Sequence, residues 1–157
     1  VQRHSISRIT GFIVLGLALA LLLGRAFGLT SWMVLLPGAQ RMGLLTMLML
    51  GAAGYAIAAL AGGWPALGRW RRAGVLLAMG LLALLPAGFI VEALFDVPLG
   101  IDLPSPTLRP SALNLHPGRT SPNAALAFLA LDLALLSLTW PRRRLRSTLG
   151  FGAVLVL

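Results

Sequence analysis

The stretch RWRRAGVLLAMGLLALLPAGFIVEALF, residues 69–95, decides the fold. An arginine-rich opening with one tryptophan leads into residues 73–95, where Glu92 is the single ionisable group. A helix of roughly 20 apolar residues is what crosses a bilayer's hydrocarbon core. The run is rich in Leu and Ala and lacks the two-residue alternation of a strand, so it reads as helix. In lipid the backbone must satisfy itself, which also favours helices. Pro86 inside the run is expected to kink it and to free a carbonyl near Leu82.

Similar runs lie outward on both sides, at about 9–29, 43–62 and 122–140, and a fifth begins near 149. The expected fold is all-α: a polytopic transmembrane helical bundle of four complete helices plus the start of a fifth. Composition points the same way. The chain is 58% hydrophobic and 11% charged, against about 25% charged for a soluble domain. It starts without Met and stops inside an apolar run, so residues 1–157 read as the membrane domain of a longer protein whose output domain lies elsewhere. Arg3 and Arg8 ahead of the first run imitate a signal peptide. Further membrane-length runs follow, and no small-residue cleavage site precedes a soluble domain, so that reading is set aside.

The formal charge is +9, carried by arginine without lysine. The arginines sit in short clusters between apolar runs rather than along one face, so the expected partner is the lipid bilayer and not nucleic acid. Arg3 and Arg8, then Arg69, Arg71 and Arg72, then Arg142, Arg143, Arg144 and Arg146 fall on one side under alternating topology. That side, with the N-terminus, is expected to be cytoplasmic. Trp32, Trp64, Trp70 and Trp140 fall near helix ends, as interfacial anchors do. Cysteine is absent, which excludes disulfides and thiolate metal sites.

The long outer loop, 96–121, holds Pro98, Pro104, Pro106, Pro110 and Pro117, which favour extended or turn backbone. It reads either as a stiffened strap or as a functional loop. A weak repeat relates Leu36-Pro37-Gly38 before the second helix to His116-Pro117-Gly118 before the fourth.

Asp132 is the most informative residue. It lies near the middle of the fourth run, about 15 Å of helix from Pro122. A carboxylate at that depth costs about 2.5–3.5 kcal/mol, so it is expected to face the bundle interior, protonated or paired. Thr46 and Tyr55 are the candidate partners. The alternative role is an interhelical hydrogen bond that only holds the bundle. At the outer side, Arg25 is expected to snorkel or to pair with Glu92. With Asp96, Arg41 and Arg119 these two would form a charged outer vestibule. His116 is a candidate for one axial haem ligand or, more plainly, a turn residue. His4 falls on the other side, so the pair cannot share a metal and no metal site is expected. Gly51, Gly54, Ala58 and Gly62 line the second helix as a close-packing stripe. Gly24 and Gly28 form a weaker pair on the first. No catalytic constellation is present, because the acids are scattered and no nucleophile has a base.

The stretch 116–136, HPGRTSPNAALAFLALDLALL, resembles the N-terminal membrane regions of bacterial sensor histidine kinases and diguanylate cyclases. There a Pro-Gly-Arg-Met-Ser-Pro-Asn-Thr-Ala-Leu-like sequence opens a transmembrane helix after a long outer loop. Here Thr120 stands where Met is usual, Ala124 where Thr is usual and Asp132 where Gly is usual, so no role for Asp132 is inherited. About twenty residues match closely and the helix layout loosely. The resemblance implies a sensor module of about six helices in the bacterial inner membrane. It would feed a cytoplasmic PAS, histidine kinase, GGDEF or EAL module and form a homodimer through that output. The resemblance does not supply the ligand; lipid, quinone and haem are among the candidates. The competing expectations are a small transporter or channel with Asp132 as its ion site, and a structural subunit of a membrane complex held by the glycine faces.

Overall fold

The structure is a computed structural model, and it describes residues 2–28, 43–97, 99–101 and 120–139. Among them the chain forms four α-helices and no strand: α1 (Gln2–Ala26), α2 (Leu44–Leu60), α3 (Arg69–Phe95) and α4 (Pro122–Thr139). A short 3-10 turn, Trp64–Ala66, lies between α2 and α3. The expected fifth helix near 149 and most of the proline-rich loop fall outside the described residues.

Helix bounds follow local chemistry more than the apolar runs do. Helix α1 begins well before residue 9, because nothing in Gln2–Arg8 breaks a helix. It ends at Ala26, and Gly28 turns the chain in the left-handed region with φ 71°. Helix α3 likewise extends back through the arginines to Arg69 and carries Pro86 inside it. Helix α2 stops at Leu60, short of the expected 62, because Gly62, Gly63 and then Pro65 follow. Its 17 residues rise about 25 Å. The other three helices are long and apolar enough to cross a membrane; α2 is apolar but shorter.

Helix α4 begins at Pro122, as the sequence predicts. Ser121 caps it: the Ala124 amide donates to Ser121 Oγ at 3.2 Å, and the Ala125 amide donates to the Ser121 carbonyl at 2.9 Å. Proline suits the first helical position, where its missing N–H costs nothing. The Ser-Pro-Asn core of the resemblance is therefore a helix-start signal.

Helix α2 is central, packing against α1, α3 and α4, while α3 also packs against α4. The core joins Met49, Ala53 and Ala56 of α2 to Val75, Leu82 and Phe89 of α3 and to Ala125 and Leu135 of α4. Outside it, large apolar side chains face outward in quantity. Ile13, Leu77, Leu84 and Leu94 are each more than 60% exposed. A water-soluble monomer rarely shows contiguous apolar surface on that scale. Apolar faces on helices of this length are those of a membrane-associated protein.

Candidate functional site in the α3–α4 layer

Two carboxylates among the described residues are buried, Glu92 at 2% and Asp132 at 3% exposure. They are treated very differently.

Glu92 sits in the last turn of α3, where Asp96 closes the helix in the left-handed conformation, φ 51°. Aspartate tolerates that region better than most side chains. The chain then doubles back. The Leu99 amide donates to Glu92 Oε1 at 2.7 Å. Two residues on, the Ile101 side chain lies over Gly88, where a Cβ would collide with its Cδ1 atom. Glu92 and Gly88 are one turn apart on α3, so they hold the segment that leaves α3 at two points. Asp96 itself is exposed. Arg25, half-buried in the last turn of α1, and Glu92 both have further polar contacts.

Asp132 has no such anchorage. Its Oδ1 is buried without a hydrogen-bond partner. The residues one turn away on its face are Phe128, Leu135 and Leu136, all packed into the core. The remaining hydroxyls of α4 are used locally. Ser137 Oγ donates to the Ala134 carbonyl at 2.6 Å and Thr139 Oγ1 to the Leu136 carbonyl at 2.8 Å.

The two candidate partners of Asp132 lie elsewhere. Thr46 Oγ1 lies 2.8 Å from Thr120 Oγ1, one hydroxyl donating to the other. Thr46 is in the first turn of α2, whereas Asp132 lies ten residues beyond the start of α4, which puts them about 15 Å apart in depth. Tyr55 turns its hydroxyl towards Gly74 near the start of α3, where a Cβ would lie 2.5 Å from Oη. Asp132 is thus an acid among hydrocarbon. Helix α3, which packs against α4, contains buried Pro86, which has no N–H to offer the Leu82 carbonyl.

The small residues of α2 meet α1. A Cβ on Gly54 would lie 2.5 Å from the Leu15 amide nitrogen, and Gly51 faces Ala18. Ala58 takes the backbone of Gly11, where any side chain would overlap it. Gly62 does not share this seam: a Cβ there would meet nothing within 4 Å, because the residue lies past the helix end. Gly11, which sequence reasoning passed over, is the tightest point. Its signal was present in the seven-residue spacing to Ala18, both buried. Gly28 likewise has open space around it.

His116, Arg41 and Arg119 lie outside the described residues. Among those described, no group of three His, Asp or Glu side chains gathers as metal ligands. The chain matches no family model, no curated protein and no solved structure. The chemistry available to this layer is that of a buried carboxyl group on a helix packed against one that carries a proline.

Proposed function

We propose that the chain is a multi-pass, signal-sensing membrane module of a bacterial signal-transduction protein, in which α3 and α4 shift against a fixed α1–α2 pair. The observation that carries this reading is Asp132, a carboxyl with a buried, unpartnered oxygen in the α3–α4 layer. Such a group is costly in hydrocarbon and marks a functional position by default. Its interaction with a ligand, proton or lipid would favour one helix arrangement over another, which is what a two-state relay requires. The backbone-to-backbone seam of Gly11, Gly54 and Ala58 makes α1–α2 the stationary part. Pro86 leaves one backbone hydrogen bond of α3 unmade, which gives the helix a place to bend.

In this reading the arginine clusters hold the N-terminus and the α2–α3 connection in the cytoplasm of an inner membrane. All four helices cross, with α2 the shortest. The outer segment pinned by Glu92 faces the other side. The output would be a histidine kinase or diguanylate cyclase, acting as a homodimer. Support for that output comes from the 116–136 resemblance.

A transporter or channel is the second reading, favoured by the same buried acid. The structural-subunit reading is weakened, because the glycine face that would hold a foreign helix is occupied by this chain's own α1.

The gene on either side of this stretch is the first test. The sensor reading expects a soluble signalling domain in the same reading frame, and a frame without one ends it. In reconstituted vesicles, Asp132→Asn is expected to change output activity and leave ion flux at background. Flux that depends on Asp132 would transfer the argument to the transporter.

A further inference from the structure

At the arginine-rich end of the helices, opposite the Glu92 strap, α1, α2 and the α2–α3 connection enclose a cleft of about 160 Å³. Arg8 of α1 and Arg71 of α3 stand at it, with Phe12, Leu15 and Leu67 as apolar walls and Tyr55 among its lining. Gly62 leaves one side open, since no atom approaches the space a side chain would fill.

We infer that this cleft binds the phosphate headgroup of an anionic phospholipid between Arg8 and Arg71. Four observations carry the assignment. First, the two guanidiniums come from different helices. Among the described residues neither has a hydrogen-bond or ion-pair partner. Second, among the described residues no compensating acid is near. Glu92 and Asp96 lie at the far end of α3, and Asp132 is deep in α4. Third, the rim is held in shape independently of any ligand. Arg72 stacks over Trp64 at 5.7 Å and donates to the Pro65 carbonyl at 3.2 Å, which ties the connection to the start of α3. Fourth, the cleft continues onto apolar helix surface. Ile9, Phe12 and Ile13 are each more than half exposed beside Arg8.

A cationic rim above an apolar wall suits a molecule with an anionic head and hydrocarbon tails. A free phosphate would use only the rim. Basic pockets between helices on the cytoplasmic side are where such headgroups bind. The lipid would bridge α1 to α3. The assignment rests on the membrane reading above and not on the sensor reading.

The test is lipid titration of the full chain in detergent, read by native mass spectrometry. Phosphatidylglycerol is expected to be retained and phosphatidylcholine to wash out. Arg8→Gln and Arg71→Gln are each expected to lower retention about fivefold, and the double variant more. Arg8→Lys and Arg71→Lys restore most of it. Arg69→Gln, at an exposed arginine over Trp70, is the control and leaves retention unchanged. Equal retention of both lipids, or Gln variants that bind as the parent does, overturns the site. Displacement of phosphatidylglycerol by millimolar inorganic phosphate would assign a free anion instead and also overturn it. A chain that stays folded and soluble without detergent would defeat the membrane reading, which is a separate result.

Discussion

The Leu99 amide donates to Glu92 Oε1 at 2.7 Å, so a buried carboxylate at the end of α3 pins the backbone that leaves it. Glu92, which the sequence offers as a candidate partner of Arg25, thus also holds the start of that segment. Hydrogen bonds to charged groups are worth about 1.5–3 kcal/mol. Glu92→Leu is expected to release the segment, and hydrogen exchange at the Leu99 amide should rise at least tenfold. Unchanged protection would mean that Ile101 against Gly88 holds the strap alone.

The α1–α2 seam gives a second prediction. Gly54→Val or Gly11→Val forces the two backbones apart, and overpacking typically costs about 1–3 kcal/mol. Gly62→Val should be close to neutral, since its surroundings are open. Unfolding in mixed detergent separates the two outcomes. Equal losses at Gly54 and Gly62 would contradict the seam.

Asp132 separates function from stability. Replacing an unpartnered acid by Leu removes a burial cost of about 2.5–3.5 kcal/mol. Asp132→Leu is therefore expected to leave the bundle at least as stable, while abolishing the output change that the proposed relay would give. A clear loss of stability would show instead that Asp132 bonds the helices together.

Ser121 offers a local check. Ser121→Ala removes the cap on the Ala124 amide, at a cost of about 0.5–2 kcal/mol. Fraying should appear as faster exchange in the first turn of α4 and nowhere else. Thermal unfolding and exchange measured on one sample decide it.

Thr46 and Thr120 join α2 to the segment entering α4 through their hydroxyls. Thr46→Val and Thr120→Val should show a coupling energy near 0.6 kcal/mol in a double-mutant cycle, the average for such bonds in membrane helices. A coupling of zero would detach α2 from the α4 entrance.

Much of this architecture could be read from the chain itself. Pro122 after Ser121 marks the start of α4 because capping chemistry is local. Gly28, Gly63 and Pro65 end helices for equally local reasons, but the apolar runs read past the helix ends, to 29 and 62. Asp132 could be assigned to the interior because a carboxyl in an apolar helix has nowhere cheaper to go. Which helices meet, and by which faces, was decided only by the tertiary structure. In soluble proteins a polar face shows which side of a helix is outward. These helices are apolar nearly all round, so a leucine facing the core and one facing outward look alike in sequence. Hence the sequence does not mark Gly11, puts Gly62 in a seam that it does not join, and offers Thr46 and Tyr55 only as candidate partners of a carboxyl they do not reach.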